Sequence, residues 1–262
     1  MPGRAESPGM LDFGGSVVLI TGGSSGIGLA CVKAFAERGA RVIAASLDSA
    51  PEDARLGDLG ERVSFIGLDV RSERQWARCM QAVVEQHGCL DVLINSAGVL
   101  LHASIEDTSL EQFRAVQAVN VEGVFLGCKA AIAVMKSRGG GVIVNLSSIA
   151  AMRGVAKLAA YNAAKGAVRL LTKSVALHCA EHRYDIRCVS VHPSYIDTPM
   201  TRREIAAADD PGKLRSVYER VSPLNRMGKP EEVAAAILFL ASREASFVNG
   251  AEIPVDGGAL AR

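Results

Sequence analysis

Tyr161-Asn162-Ala163-Ala164-Lys165 sets a phenol and an ammonium four residues apart, a spacing that shares one face of an α-helix. A free phenol ionises near pH ~10 and is a poor base at neutrality, whereas a nearby cation favours the phenolate. Such a pair can take or give a proton at neutral pH. Alone it is weak evidence: with four Tyr and eight Lys in 262 residues, chance supplies one in roughly one chain in eight. Its surroundings carry the argument. Ser148 stands thirteen residues upstream, just after the apolar run Val142-Ile143-Val144, so a hydroxyl falls at the carboxyl end of a strand. Asn120 lies in a long helical pattern expected to pack beside that strand. Asn95-Ser96-Ala97-Gly98 closes another strand with residues small enough for a cofactor to approach closely.

These residues need a scaffold that brings strand ends together. Short β-rich runs at Val17–Thr21, Arg41–Ala45, Val63–Gly67, Val92–Asn95, Val142–Ser147, Arg187–His192 and Ala251–Val255 read as strands. Helical patterns lie between them, near 26–38, 72–87, 109–137, 159–182 and 230–242. Several strand runs are continuously apolar, as a parallel sheet covered on both faces requires. Right-handed strand–helix–strand crossovers then lead to an α/β, Rossmann-type doubly wound sheet of seven parallel strands flanked by helices, in one domain. Ligands of such sheets bind outside the carboxyl ends of the strands. Residues 1–12, with Pro2 and Pro8, read as a flexible leader before a catalytic domain at 13–262. The segment 199–223, with its Asp209-Asp210-Pro211-Gly212 turn signal, reads as short helices joined by a mobile loop that could act as a lid.

Directly after the first strand comes Thr21-Gly22-Gly23-Ser24-Ser25-Gly26-Ile27-Gly28, opening a helix. The glycines allow a sharp turn and close approach to a pyrophosphate, and the helix start supplies free N–H groups. Strand before, helix after and a second strand within ~30 residues make this a dinucleotide loop. An acidic residue ending the second strand would hold the adenosine ribose hydroxyls. Here Ser46 occupies that place, with Asp48 two residues on and no Arg or Lys in the loop, which favours NAD and leaves NADP as the alternative.

The net charge of +1 and 22% charged residues offer no one-signed field for nucleic acid or a membrane surface. No uninterrupted apolar run approaches the ~20 residues that span a bilayer. Six dispersed cysteines without a CxxC pair point to reduced thiols and a cytoplasmic setting. His178 and His182, four apart on a helix, have no third ligand nearby, so no metal site is expected.

Taken together, the chain resembles the short-chain dehydrogenase/reductase family from about Phe13 to Gly258. TGxxxGxG matches Thr21–Gly28, and NNAG matches Asn95–Gly98 with Ser96 for the second Asn. The active-site Asn, Ser, Tyr and Lys match Asn120, Ser148, Tyr161 and Lys165. The resemblance implies that Asp69, with Val70 beside it, contacts adenine. It also implies that Pro193, Ile196 and Thr198, in the stretch His192–Met200, lie along the nicotinamide. Ser194 stands for a usual Gly, and Ser46 for a usual acid. By the same resemblance, Tyr161 exchanges the proton, Ser148 positions the reacting oxygen, Lys165 holds the nicotinamide ribose and Asn120 orders a water chain.

Candidate pocket residues are Leu100, Leu101, His102, Met152, Leu158, Tyr195, Met200 and the lid. Being largely apolar, they suggest a hydrophobic secondary alcohol or ketone as substrate. Gly98–Leu101 and Tyr184–Arg187 are similar to stretches of bacterial hydroxysteroid and cycloalkanol dehydrogenases, which makes cyclic and steroid-like alcohols candidates. One alternative is an NADPH-dependent 3-oxoacyl-carrier-protein reductase, which would want basic residues near the loop. Another is a non-catalytic cofactor-binding scaffold, which would not need all four polar residues. The family resemblance implies a homotetramer or homodimer, built through the helices near 109–137 and 159–182.

Overall fold

The computed structural model describes residues 11–47 and 57–262. Seven strands form one parallel sheet: β1 (Val17–Thr21), β2 (Arg41–Ser46), β3 (Val63–Gly67), β4 (Val92–Asn95), β5 (Gly141–Leu146), β6 (Ile186–Pro193) and β7 (Glu252–Val255). Their order across the sheet is β3-β2-β1-β4-β5-β6-β7, all neighbours parallel. Strand order therefore reverses between β1 and β4, and the divergent crossovers open a crevice above that point.

The continuous apolar runs are explained by burial on both sides. Along β1, Val18 and Ile20 enter one core and Val17 and Leu19 the other. The first core is closed by α1 (Gly26–Glu37) and α8 (Pro230–Ala241), which contribute Phe35, Val233 and Ile237. The second is closed by α2 (Glu73–His87), α4 (Gly123–Met135) and α5 (Ala159–Glu181), with Trp76, Met135 and Val168 inside. Five of the six cysteines are buried in these layers and all six are free thiols.

The helical pattern near 109–137 is two helices, α3 (Leu110–Gln117) and α4, joined by a π turn at Ala118–Glu122. By length and composition alone, Leu110–Met135 is long and apolar enough to cross a membrane, its most apolar 18 residues having a mean hydropathy of 1.5. The sequence reading did not anticipate this, because Glu111, Arg114, Glu122 and Lys129 interrupt the apolar residues. In the fold, Val116, Val124, Cys128, Ala131 and Met135 of this stretch are buried in the layer that covers the sheet.

The segment expected to be a lid forms two helices, α6 (Pro199–Ala206) and α7 (Pro211–Val221). Each begins with the same chemistry: a capping side chain followed by proline, which costs nothing at a position whose N–H has no helical partner. The Thr198 hydroxyl accepts from the Thr201 amide, and the Asp210 carboxylate from the Lys213 amide. The expected turn at Asp209–Gly212 is thus the start of α7. His178 and His182 lie side by side at the end of α5, rings 4.2 Å apart, packed on Tyr184.

Candidate active site

The crevice is anchored where β1 meets β4. The Thr21 hydroxyl accepts from the amides of Ser96 and Ala97, at 3.0 and 3.1 Å, and ties the two strand ends together. Gly22, with φ +66°, lies so close to this junction that a Cβ would stand 2.9 Å from the Ala97 Cα. A Cβ on Gly28 would run into the Gly22 carbonyl. Only glycine lets loop and helix approach in this way. Ser25, the residue before α1, makes no side-chain capping bond, so the first-turn amides keep their capacity for an external acceptor. A pyrophosphate is such an acceptor, and the loop fits a dinucleotide on these grounds.

From this loop a cleft of about 260 Å³ runs across the sheet to the lid. Gly22, Ser25, Gly26, Ile27, Gly28, Ala97 and Gly98 line one end, and Pro193, Ile196 and Thr198 continue along it. Ser148, Tyr161 and Lys165 share the floor with Leu158, Tyr195 and Met200. Helix α5 carries Tyr161 and Lys165 on one face, with the Lys165 Nζ 5.6 Å from the Tyr161 ring centre. Lys165 is buried, and its Nζ donates to the Leu146 carbonyl at 2.8 Å. Burial brings the Lys165 ammonium down to about 8. Burial pushes the Tyr161 phenol up to about 12; a hydrogen bond to Ser148 opposes this, and the Glu204 carboxylate and Tyr195 add to it. The sequence reading expected the neighbouring ammonium to bring the phenol down. Desolvation dominates instead, and the phenol stays above its ordinary range.

Ser148 follows β5 and caps the short turn Ile149–Ala151, its hydroxyl accepting from the Ala150 amide at 3.1 Å. His192, fully buried on β6, reaches the Ser148 carbonyl through Nδ1 at 3.0 Å and Ser190 through Nε2 at 2.8 Å. His192 thus fixes the backbone of Ser148 from beneath. The sequence reading placed it only at a strand end. Asn162, beside the catalytic candidate Tyr161, donates to the carbonyls of Ala150 and Arg153 and holds the cleft wall.

Asn120 is buried in the π turn, a widening that often marks functional sites. Its side chain is spent on Val99: Oδ1 accepts from the Val99 amide and Nδ2 donates to the Val99 carbonyl, both at 2.8 Å. It therefore pins the β4–α3 loop. A Cβ on Gly98 would lie 3.2 Å from the Asn120 Oδ1 and 3.7 Å from the Lys165 Nζ, so these three residues meet at one point.

Several expected site residues stand elsewhere. The Asn95 side chain points into the core, where Nδ2 donates to the Asn145 Oδ1 at 2.8 Å; it shares the strand face of Leu93 and does not line the cleft. Met152 is also off the cleft, because the turn at Ile149–Ala151 presents Arg153 and Val155 instead. Asp69 and Val70 follow β3 beyond the cleft lining. The Asp69 carboxylate is paired to Arg71 at 2.8 Å, which holds it below its ordinary range. Ser24 and Ser46 also lie outside the lining, Ser46 at the end of β2, while Asp48 lies outside the described residues. Leu100 lines the cleft; Leu101 packs with Val116 and Ala160, and His102 faces Glu204. Arg203 and Glu204 of α6 are cleft residues that sequence reasoning did not single out.

A family model described as "Enoyl-(Acyl carrier protein) reductase" matches residues 22–259. The chain belongs to the short-chain dehydrogenase/reductase family. A 3-beta-hydroxysteroid dehydrogenase of Comamonas testosteroni is 39% identical, over 94% of this chain and 96% of its own. An NADP-dependent (R)-specific alcohol dehydrogenase of Lentilactobacillus kefiri is 37% identical, over 95% and 98%. The ligand-free aldohexose dehydrogenase of Thermoplasma acidophilum superposes with a TM-score of 0.88 at 36% identity, covering 97% of both chains. The protein is a nicotinamide-dependent oxidoreductase acting on CH–OH groups.

Proposed function

We propose that this dehydrogenase interconverts a hydrophobic, cyclic secondary alcohol and its ketone, with Tyr161 as the proton-exchanging group. The observation that carries this reading is the meeting of Ser148, Tyr161 and Lys165 on the floor of one cleft that also holds the glycine loop. A bound nicotinamide supplies the hydride acceptor or donor. The protonated Tyr161 phenol is in the form that donates to a ketone oxygen; in oxidation it receives the alcohol proton, and the Lys165 ammonium favours the phenolate so formed. Ser148 hydrogen-bonds the reacting oxygen and sets its distance from the phenol. Lys165 would hold the nicotinamide ribose, and Gly98 beside it would let the cofactor approach closely.

Leu100, Val155, Leu158, Tyr195 and Met200 give the pocket an apolar wall suited to a ring. The hydroxysteroid relative supports a cyclic substrate. NAD is the proposed cofactor, supported by the absence of Arg or Lys from Gly22–Gly28 that could pair a 2′-phosphate; Ser46 at the end of β2, in place of an acid, leaves NADP as the alternative. A homo-oligomer is the proposed assembly, supported by the exposed Phe125 of α4 and Leu170 and Leu177 of α5. Oxidation of a panel of open-chain and cyclic secondary alcohols with each cofactor tests the reading. Turnover of cyclic substrates with a higher kcat/KM for NAD is expected. A preference for NADP refutes the cofactor assignment, and failure to oxidise any member refutes the activity.

A further inference from the structure

The pocket wall is not wholly apolar. Glu204, on α6, enters the cleft with its side chain 15% exposed. Its carboxylate lies close to Tyr218, and burial together with this carboxylate pushes that phenol above its ordinary range. Tyr218 is itself fixed, stacked on Tyr195 at 3.8 Å and buried with Ile205 and Met227. The Glu204 Oε2 is buried without a hydrogen-bond partner among the described residues, and the His102 Nε2 stands 4.0 Å from Oε1. A buried acceptor left unmade is costly, more so when charged, and its occurrence in a native cleft calls for a donor from outside the chain. Glu204 lies within electrostatic reach of Tyr161 and Tyr195, so this donor would sit across the same pocket as the reacting oxygen.

We propose that Glu204 accepts a hydrogen bond from a second hydroxyl of the substrate, so that the substrate is a cyclic diol or hydroxyketone rather than a simple alcohol. The inference rests on the dehydrogenase reading above and specifies its substrate class. A hydroxyl is favoured over an ammonium because Arg153 and Arg203 line the same cleft and oppose a cationic ligand. Rejection of an analogue that lacks a partner for a buried polar group is the strongest discrimination that such a site can offer.

The test compares cyclohexanol, the three cyclohexanediols and 4-aminocyclohexanol as substrates of the wild type, Glu204→Leu and Glu204→Gln, each saturated with nicotinamide cofactor. In the wild type, kcat/KM for the best diol should exceed that for cyclohexanol at least tenfold, as expected for a hydrogen bond to a charged acceptor. Glu204→Leu should reduce that ratio to about one. Glu204→Gln, which keeps an acceptor oxygen, should retain most of it, a rescue that a merely structural role would not produce. Thermal unfolding checks that both variants are folded. A wild type indifferent between diol and cyclohexanol overturns the inference alone, as does a Glu204→Leu enzyme that keeps the preference. A preference for the amino alcohol overturns the hydroxyl assignment. Turnover of none of these compounds overturns the dehydrogenase reading on which the inference stands.

Discussion

Replacing Lys165 by Met should make the protein more stable and less active at the same time. Lys165 is 5% exposed, and burial lowers its ammonium from 10.5 to about 8. At about 1.4 kcal/mol for each pH unit, holding the charge inside costs on the order of 3 kcal/mol at pH 7. The bond from Nζ to the Leu146 carbonyl returns about 1 kcal/mol and is lost in the variant. The net expectation is a gain of about 2 kcal/mol. The sign follows from proton counting. Between pH 8 and 10.5 the unfolded chain keeps a proton that the native chain has released, so wild-type stability rises with pH across this window. Below pH 8 the cost is fully present. The advantage of Lys165→Met should therefore be largest at pH 7 and shrink towards pH 10. Urea unfolding of both proteins, at matched concentration and without cofactor, measures it. A variant less stable than wild type at pH 7, or an advantage that does not change with pH, refutes the reasoning.

Two further outcomes follow from the site. Asn95→Ala should lose about 1–3 kcal/mol of stability by leaving the buried Asn145 Oδ1 with only the weak Cys128 thiol as donor, yet leave the dissociation constant of the cofactor unchanged by fluorescence titration. A weakened cofactor with intact stability would return Asn95 to the binding site. Gly28→Ala should weaken cofactor binding at least tenfold in the same titration, because its Cβ meets the Gly22 carbonyl and must displace the loop. Wild-type affinity would show that the loop does not bind the cofactor as described.

The sheet was legible because its five inner strands are short apolar runs buried on both faces, and the seven expected runs coincide with the seven strands to within a residue at either end. The glycine loop was legible because glycine at Gly22 and Gly28 is a steric requirement that composition records directly. The core-facing side chain of Asn95 had a signal in the sequence: strand side chains alternate, and Asn95 shares its face with the core residue Leu93. Other features have no local trace. The π turn that interrupts the long helix at Asn120 follows from its packing, and helical periodicity runs through it. Met152 and Arg153 differ by one residue, and a three-residue turn decided which of them reached the cleft. Glu204 reads as one charge among several on an amphipathic segment. Its surroundings depend on Tyr195, before α6, and Tyr218, on α7, which stack on each other and lie close to its carboxylate.

The central claim is that the Tyr161 phenol exchanges the proton while the rest of the cleft binds. Removing the hydroxyl alone tests it most directly. Tyr161→Phe should keep its affinity for the nicotinamide cofactor, and its kcat for the best alcohol substrate should fall by about 10²–10⁴-fold, the usual contribution of a positioned acid or base. Near-normal turnover in that variant would contradict the account.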